Sequence, residues 1–488
     1  MTVERYREII RTLRDLIKNT PWEGNVYCVG GCCRDELTGT DIHDIDLAIT
    51  VPDGGIKFAE WLQKKRLLGA PPVKYPKFGT AMVVLKKYPD LDLELVQTRS
   101  EKYTDHNSRN PETAYGTLEQ DCLRRDFTIN SLYYDISRDA CIDITGWGRQ
   151  DIADRIIRTP VDPDATFDDD PVRILRCVRF AARFGWEIDS PTFDALRRNV
   201  RRLSIVSANR MRNEVERMLV GPDPRGALEM LREIGAMEYV MPELIPLFTL
   251  RQPGTPPWTV WQHTLQTVEM IDPEPALRFA ALFHDLGKAV TDTNNIKSGK
   301  SILFDQHESS GAKLAKQILH RFHAPSQLSR DVVYFVVNHM ACRSFGDQGQ
   351  FIKDKKLRKL QYLSRSRHRF EKLLQLIHVD NLAQHYPYCM PAQVPAVQRH
   401  IERMDADGTS MYHYSLPVTH EDIRRIKGQI SDRQLRRCED YLLRLAFENP
   451  RLTARELLKK LRQYDIRSLA DKPSNRRRKS SKKHKMCG

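Results

Sequence analysis

The sequence has no hydrophobic run that approaches the length of a membrane span. Residues 1–19 predict a charged amphipathic helix rather than a signal peptide. Cysteine is also scarce, with ten residues scattered over 488 positions. Cys28, Cys32 and Cys33 cluster, but no second cysteine or histidine pair lies at the spacing of a zinc site. We therefore expect buried free thiols, a reducing cytoplasm and no membrane contact.

Negative charge is in the minority, since 64 acidic residues face 78 lysines and arginines, which leaves a net charge of +14. A basic excess of this size favours a polyanionic partner such as nucleic acid. Part of the excess lies in residues 475–485, within a C-terminal stretch (467–488) that we predict to be disordered. This stretch is either a solubilising end or an arm that binds RNA. The length indicates several domains, and no internal repeat occurs.

What the sequence does contain is an ordered pattern of glycines and carboxylates over residues 26–47. The apolar run that opens it predicts a buried strand, and Gly30-Gly31 then forms a turn where backbone N–H groups can approach phosphate. A short helix follows, and Asp44 and Asp46 begin a second strand. Because side chains alternate along a strand, the two carboxylates share one face. The pattern predicts a site for Mg²⁺ and a nucleoside triphosphate, as metal-assisted phosphoryl transfer requires.

Each piece of this pattern also has an ordinary interpretation. A lone Asp-x-Asp is usually a solvated strand end, and a lone glycine pair is usually only a turn. Their fixed order within residues 26–47 is what favours a catalytic site. Glu94, on a further predicted strand over 91–96, is either a third carboxylate beside the pair or an edge-strand charge that faces water.

Two later segments carry arginines in positions suited to phosphate. Arg124 and Arg125 precede an apolar strand, where a guanidinium could bind triphosphate oxygens, although an ion pair with the protein itself explains any single arginine here. Residues 169–184 predict a helix with an arginine stripe, which is usually a solvated face. At its start Asp170 can cap the helix and, with Arg173, offer acceptors and donors to the edge of a base. The stripe comprises Arg173, Arg176, Arg179 and Arg183.

Taken together, these segments resemble the class II tRNA nucleotidyltransferases (CCA-adding enzymes) and bacterial poly(A) polymerases, within the polymerase-β superfamily. The matching stretches are GGCCRD…DIHDIDL, ELVQTRSEKY, GTLEQDCLRRDFTINSL and DDPVRILRCVRFAARFGW, in family order over roughly residues 20–250. The resemblance implies an α+β fold with a small mixed-sheet head, followed by helices only. The implied divisions are a nucleotidyltransferase head (1–160), a helical neck with the nucleotide-selecting helix (161–250), an HD domain (255–390) and an RNA-binding helical tail (395–466).

The resemblance also implies roles for individual residues. Asp44 and Asp46 would hold Mg²⁺, with Glu94 a weaker candidate for the same catalytic group. The implied nucleotide-binding residues are Gly31, Arg34 and Arg125 at the triphosphate, Asp170 and Arg173 at the base, and Arg176 and Arg179 as supports or phosphate contacts. Protein side chains, rather than a nucleic-acid template, would then select C and afterwards A.

The middle of the chain resembles an HD metal-dependent phosphohydrolase domain. A lone buried histidine is usually structural, but a His-Asp pair flanked by further histidines on predicted helices indicates a metal site. Imidazole and carboxylate ligands suit Mn²⁺, Ni²⁺, Fe or Mg²⁺, and Lys288 could neutralise a phosphate. The predicted ligands are His263, His284, Asp285, His307, His339 and Asp380.

The sequence therefore predicts an enzyme that adds CCA, or part of it, to tRNA 3′ ends from CTP and ATP. Hydrolysis of 2′,3′-cyclic or 3′-phosphates on damaged RNA ends by the HD domain is a further hypothesis. A poly(A) polymerase is the nearest alternative, because it shares these motifs. An RNA-binding regulatory protein with a decayed polymerase head is the alternative from another class. Expected partners are tRNA, CTP and ATP, with no stable protein partner implied.

Overall fold

The computed structural model describes residues 1–102, 112–251, 258–291, 306–384, 389–411 and 414–465. The basic stretch predicted to be disordered lies outside these residues. The chain divides into two units, Met1–His339 with Val379–Cys389, and Met340–His378 with Met390–Gly488. The head, the arginine helix and all six predicted HD ligands belong to the first unit.

The head is built on a mixed sheet of seven strands, within the described residues, in the order β3-β4-β5-β2-β1-β8-β9. Strands β2 and β5 run parallel, whereas the other neighbours run antiparallel. The strands are β1 (Val26–Val29), β2 (Ile45–Ile49), β3 (Val73–Tyr75), β4 (Thr80–Val84), β5 (Asp92–Gln97), β6 (Arg99–Lys102), β7 (Glu112–Tyr115), β8 (Leu132–Asp135), β9 (Ala140–Asp143), β10 (Ile156–Ile157) and β11 (Glu187–Ile188).

Helices follow and surround the sheet, as the fold class predicted. In the first part of the chain they are α1 (Val3–Ile17), α2 (Gly31–Thr38), α3 (Gly54–Lys64), α4 (Leu118–Leu123), α5 (Gly148–Asp154), α6 (Pro163–Asp169), α7 (Val172–Phe184), α8 (Ser190–Asn199), α9 (Ala208–Leu219), α10 (Pro224–Glu233) and α11 (Met237–Val240). The later helices are α12 (Val260–Met270), α13 (Pro275–Phe283), α14 (His307–Arg321), α15 (Ser326–Asn338), α16 (Asp354–Ser364), α17 (Arg367–Ala383), α18 (Gln393–Ala406), α19 (His420–Lys427), α20 (Asp432–Glu448) and α21 (Ala454–Gln463).

Helix α1 covers one face of the sheet. Tyr6, Ile9, Leu13 and Ile17 recur at helical spacing and are all buried, so one stripe of the helix joins the core of the head. The hydroxyl of Thr2 accepts the backbone N–H of Arg5 at the N-terminus of the helix. With this face covered, the opposite face of the sheet is left for Asp46 and its neighbours.

The second unit has a core of its own among α19, α20 and α21, formed by Ile423, Leu435, Cys438, Leu442, Leu457 and Leu461 with partly buried neighbours. Thr419, Ser431 and Thr453 begin these three helices with capping boxes, each of which satisfies backbone N–H groups at the N-terminus. No helix in the described ranges combines the length and the apolar character that a membrane crossing requires.

Candidate active site

The carboxylates predicted in the head meet on adjacent strands. Asp46 on β2 and Glu94 on β5 are directly paired in the parallel register, so their side chains share one face. Ile45 is buried in the core, as the alternation predicted. Asp44 precedes the strand and is exposed. The register thus brings together two acids that are separated by almost fifty positions in the chain.

Asp46 and Glu94 line a cavity of about 490 Å³. Burial, followed by the neighbouring Cys32 and Glu94, raises the pKa of Asp46 to about 7, against the opposing charge of Arg125. Asp44 does not line this cavity. The cavity is lined by Val29, Asp46, Tyr75, Phe78, Thr80, Glu94, Val96, Gln97, Arg99, Arg124 and Arg125.

These carboxylates suit a divalent cation. Two neighbouring carboxylates repel one another, and a hard cation bound by their oxygens would relieve that repulsion. Burial is the main cause of the raised pKa of Asp46, and the nearby charge of Glu94 adds to it. Mg²⁺ commonly takes one or two protein carboxylates together with substrate phosphates, which an open cavity allows.

Arg125 is held at the cavity by a buried acid. Its Nη2 donates to Asp121 Oδ2 at 2.8 Å and its Nε donates to the Tyr133 hydroxyl at 3.0 Å. Arg124 Nε donates to the other oxygen of Asp121 at 3.0 Å. Burial raises the pKa of Asp121, but Arg125 and Arg124 outweigh this effect and hold it well below its usual range. The acid therefore stays ionised and orients both guanidinium groups.

Gly30 lets the glycine turn lie against this arginine. Its φ of 79° with a ψ of −128° is a conformation that residues with a side chain rarely adopt. A Cβ built at this position would lie 3.6 Å from Arg125 Nη1. Gly31, predicted as part of the turn, is already the first residue of α2, and Gly39 is the C-cap of this helix. The turn, the arginine and the carboxylates are thus neighbours.

A second cavity, of about 260 Å³, adjoins the first. Asp170 stands just before α7, where its Oδ1 accepts the Val172 N–H at 3.3 Å, as the sequence suggested. Its other oxygen accepts Arg210 Nη2 at 2.6 Å. Arg173 donates to the backbone carbonyls of Thr166 and Arg124. The lining residues are Arg99, Arg124, Arg125, Asp126, Asp170, Arg173, Arg176 and Arg210, of which the first three also line the carboxylate cavity.

Most of the arginine stripe of α7 is not a solvated face, which was its commonest interpretation, although Arg183 at its end is exposed. Arg173 and Arg179 are 8% and 7% exposed. Arg179 Nε donates to Glu214 Oε2 at 2.6 Å, and Arg176 Nε donates to Asp126 Oδ2 at 2.7 Å. Arg176 lines the second cavity, whereas Arg179 lines neither of the two.

Arg34 and Gly31 are the other predicted triphosphate contacts that line neither cavity. The Arg34 guanidinium is buried, donates to Asp35 at 2.8 Å and to Asn130 at 2.5 Å, and lies over the ring of Phe184. These contacts favour a structural position for Arg34, which links the start of α2 to the segment after Arg125.

Some residues that shape the site had no role in the sequence predictions. Asp121 orients Arg124 and Arg125 from three and four positions upstream, a helical spacing that was a usable signal. Arg99 lines both cavities and stands in the matched stretch ELVQTRSEKY, but no role was predicted for it. The ion pair between Arg210 and Asp170 joins residues forty positions apart and had no local signal.

The six residues predicted in the HD module converge in the interior. They form two groups whose ligand atoms lie within 4.8 Å of one another, and all six side chains are buried. One group is His263, His284 and Asp380, and the other is Asp285, His307 and His339. The ligands come from α12, the end of α13, α14, the end of α15 and α17. His284 and Asp285 are adjacent in the chain, so the two groups share an edge.

The hydrogen bonds of this cluster orient the histidine rings so that their Nε2 atoms face one another. His284 Nδ1 lies 2.7 Å from the Ala281 carbonyl, and His339 Nδ1 lies 2.7 Å from the Val336 carbonyl, so each ring, when it is neutral as a cation ligand must be, carries its proton on Nδ1. Their Nε2 atoms are then acceptors. His263 Nε2 lies 3.1 Å from that of His284, and His307 Nε2 lies 3.1 Å from that of His339. Histidine Nε2 atoms and carboxylate oxygens that converge in this way can bind a cation.

The charges around Asp285 agree with this arrangement. Burial raises the pKa of Asp285, but Lys288 and His284 outweigh it and hold the pKa well below its usual range. Lys288 Nζ donates to Asp285 Oδ2 at 2.6 Å. Burial lowers the pKa of His284, whereas Asp285 and Asp380 raise it more strongly, to about 9. Lys288, predicted as a phosphate contact, lies beside the cluster.

Comparisons with known proteins agree with this layout. Residues 26–158 match the family described as "Poly A polymerase head domain", residues 185–248 match "Probable RNA and SrmB- binding site of polymerase A", and residues 260–405 match "HD domain". The chain is also similar to a solved structure named "Crystal structure of Bacillus stearothermophilus CCA-adding enzyme in complex with CTP". The TM-score is 0.61 at 20% identity, over 94% of this chain and 97% of that one.

Sequence relatives extend the comparison. The chain is 38% identical over 229 residues to "CCA tRNA nucleotidyltransferase, mitochondrial" of Saccharomyces cerevisiae, covering 44% of this chain and 42% of that protein. The match thus spans about two fifths of the mitochondrial relative. It is 33% identical over 324 residues to "Multifunctional CCA protein" of Vibrio vulnificus (strain YJ016), over 64% of this chain and 74% of that protein. The chain belongs to the family of tRNA nucleotidyltransferases and poly(A) polymerases, and it carries an HD domain over residues 260–405.

Proposed function

We propose that this protein adds CCA, or part of it, to the 3′ ends of tRNA by metal-dependent nucleotidyl transfer from CTP and ATP, without a nucleic-acid template. The observation that supports the proposal most strongly is the pair of adjoining cavities. One contains the carboxylates Asp46 and Glu94, the other contains Asp170 and Arg173, and Arg99, Arg124 and Arg125 line both. A nucleotide that spans them would place its phosphates on the shared arginines.

Asp46 and Glu94, with Asp44 nearby, would hold Mg²⁺. The cation, when bound, stabilises negative charge on the phosphates and on the attacking oxygen. Arg124 and Arg125 bind the triphosphate in this proposal, because Asp121 already fixes their direction. Fixed donors need no reorganisation when the pyrophosphate leaves. Gly30 allows the backbone to approach the same phosphates.

Asp170 and Arg173 read the base. An aspartate accepts N–H donors and a guanidinium donates to acceptors, so the pair can meet the amino group and the neighbouring ring nitrogen that C and A both present. Two backbone carbonyls take two of the five N–H donors of Arg173 and fix its plane. A wrong base leaves a buried polar group unpaired, at a cost of about 1–3 kcal/mol. Arg176, held by Asp126, supports this wall of the cavity.

The test of the proposal is a ladder of products. The purified protein is incubated with Mg²⁺, tRNA that ends before CCA, and labelled CTP, ATP or both. Addition of C, C and A in turn supports the proposal, and C alone or A alone restricts it to part of CCA. A long A tail identifies a poly(A) polymerase instead. No addition with any nucleotide refutes transferase activity and leaves the RNA-binding alternative.

The HD cluster favours a second activity, metal-dependent hydrolysis of phosphates on RNA ends. Six converging ligands can hold a transition metal such as Mn²⁺, Ni²⁺ or Fe, and a bound metal supplies Lewis acidity toward a phosphate ester. Lys288 stands beside Asp285 and can contact the substrate phosphate. Removal of a 2′,3′-cyclic or 3′-phosphate would expose the hydroxyl that the head uses.

The full-length protein tests this second activity, with each metal added to the chelated protein and RNA that ends in a cyclic phosphate as substrate. Release of the phosphate, lost in Asp285→Asn, supports the hypothesis. No release with any of the metals refutes it.

For the compartment we propose a reducing one, because all nine cysteines in the described residues are free thiols. The cytoplasm stays a prediction, since the relatives include a mitochondrial protein.

A further inference from the structure

An exposed apolar patch lies at the edge of the head sheet. Val73, Tyr75 and Phe78 are 53%, 45% and 44% exposed, and they belong to β3 and the 3-10 turn that follows it. We call these three residues the edge patch. Large apolar side chains that cluster on an open surface usually mark a binding surface. β3 is the edge strand of the sheet and pairs only with β4 within the described residues.

The edge patch adjoins the carboxylates, and two of its three residues line the carboxylate cavity. The strand register places Val73 beside Met82, Met82 beside Glu94, and Glu94 beside Asp46. Paired residues of neighbouring strands have side chains on the same face. Tyr75 and Phe78 accordingly line the same cavity as Asp46 and Glu94. The patch is therefore part of the catalytic face.

The two sides of the carboxylate pair differ in chemistry. On the other side of Asp46, the same row of paired residues continues with Val29 on β1 and Tyr133 on β8. The Tyr133 hydroxyl accepts a hydrogen bond from Arg125 Nε. The side of β1 and β8 therefore carries the arginines, and the side of β4 and β3 carries the edge patch. Phosphates favour the arginine side. The other side offers aromatic rings, with Lys77 Nζ 5.8 Å from the ring centroid of Phe78.

In nucleotidyl transfer the attacking and leaving oxygens lie roughly in line through the phosphorus. The RNA 3′ oxygen forms its bond to the α-phosphorus as the bond to pyrophosphate breaks, the leaving group keeps the bonding electrons, and the hydroxyl proton passes to a carboxylate of the site. If the pyrophosphate leaves toward the arginines, the RNA end approaches from the opposite side. That side is the edge patch.

We propose that Tyr75 and Phe78 form a stacking platform for the 3′-terminal base of the RNA substrate and position its hydroxyl at the carboxylates. This inference rests on the proposed function. Stacking on aromatic rings tolerates every base, because each has a π face. That property suits a substrate whose last base changes after each addition, while Asp170 and Arg173 select the incoming base. Tyr75 and Phe78 are positioning residues and take no part in the bond changes.

The experiment measures KM for tRNA and KM for CTP separately in Tyr75→Leu/Phe78→Leu, which retains apolar bulk but removes both rings. We expect KM for tRNA to rise about tenfold, with KM for CTP within about twofold of the unmodified protein. Phe78→Trp retains a ring and should keep KM for tRNA low. Trp147→Leu is the matched control, since Trp147 is 53% exposed and lines neither cavity.

A binding measurement separates this inference from the proposed function. A tRNA that ends in 2-aminopurine should lose fluorescence when its last base stacks on the protein, and the double leucine variant should abolish this quenching without any turnover. Quenching that persists in the double variant overturns the platform. A rise in KM for CTP instead assigns the patch to the incoming nucleotide and also overturns it. Absence of nucleotide addition by the unmodified protein would sink the proposed function alone.

Discussion

The head and the HD module both gather acidic or imidazole ligands, but they do so in opposite surroundings. In the head, Asp46 and Glu94 lie on neighbouring strands and face an open cavity. In the HD module, six buried ligands come from five helical segments and contact one another. A cation in the head would have few protein ligands and would keep coordination positions for substrate phosphates. The HD cluster has enough ligands to hold its metal before any substrate binds.

The number of protein ligands at each site indicates how strongly its cation depends on the substrate. A cation in the head is shared between protein and nucleotide, so its affinity should rise when CTP or ATP is present. The HD cluster offers enough protein ligands to hold a cation without a nucleotide, and any remaining coordination position would admit a phosphate ester. The two sites should therefore respond independently to substitution, and the following changes test that independence.

The largest effect is expected from Asp46→Ala. Loss of a principal cation ligand should reduce nucleotide addition by about a thousandfold or more, measured as labelled CTP incorporated into tRNA, while the metal content of the HD cluster is unchanged. Asp44→Ala should have a similar direction of effect, with tRNA binding retained. Asp92→Asn is the matched control, because Asp92 lies on the same strand as Glu94 but outside the cavity. Undiminished addition by Asp46→Ala would show that the cation site is misassigned.

Glu94→Gln sharpens the same comparison. If Glu94 is a ligand, we expect addition to fall by about ten- to a hundredfold and the Mg²⁺ concentration for half-maximal rate to rise. β5 lies between β4 and β2, so Glu94 is not on an edge strand. If it is only a solvated charge, both quantities stay at the values of the unmodified protein. The Mg²⁺ dependence of the initial rate distinguishes the two.

Asp285→Ala should empty the HD cluster, because this residue contributes an oxygen to one ligand group and lies 3.3 Å from a ligand of the other. We expect the bound transition metal, measured by elemental analysis of purified protein, to fall severalfold. Nucleotide addition should stay within about twofold. A parallel loss of both activities would contradict the independence of the sites.

Asp121→Asn should weaken nucleotide binding. The substitution keeps the shape but removes the charge that holds Arg124 and Arg125. We expect KM for CTP to rise about tenfold with a smaller change in kcat. Steady-state kinetics measure both, and Asp164→Asn, which removes an exposed ion pair with Arg198, is the control. An unchanged KM would show that the two arginines keep their positions without Asp121.

The smallest expected effect concerns acid stability. Burial raises the pKa of Asp126, but Arg176 outweighs it and lowers the value to about 2, below the model-compound value of 3.8. A carboxyl with a depressed folded pKa stabilises the protein above about pH 4, and this contribution is lost as the pH falls toward 2.

The free energy of unfolding should fall between pH 7 and pH 3 in the unmodified protein. In Asp126→Asn this fall should be smaller by about 1 kcal/mol. Urea unfolding at the two pH values measures it. An identical pH dependence in the variant and the unmodified protein would show that Asp126 does not contribute.

Local patterns predicted the elements around the head site well. The strand over 26–29, the short helix after the glycine pair and the second strand all occur in the predicted order, although the second strand begins at Ile45 rather than at Asp44. These features depend on neighbours in the chain, namely apolar runs and backbone conformations that only glycine adopts easily. The HD ligands were also predictable, since each histidine stands in a short helical pattern.

Burial and pairing were harder to predict. Arg34 was predicted as a triphosphate contact and Arg179 as a support or a phosphate contact, and the structure pairs each with a buried acid outside the linings of the two cavities. An arginine in a sequence shows its charge and not the acid that it meets, because that acid can stand at any separation. The domain divisions predicted from the sequence stay predictions, and the two units of the structure cut across the HD module at α17.

The sequence by itself determined which chemistry is available: carboxylates next to a glycine turn, arginines at helical spacing, and histidines beside aspartates. Only the tertiary structure decided which of them meet. Parallel pairing of β2 with β5 brings Glu94 to Asp46, and the packing of five helical segments closes the HD cluster. These contacts join residues that are far apart in the chain. Because they depend on how the whole chain packs, a pattern of neighbouring residues does not predict them.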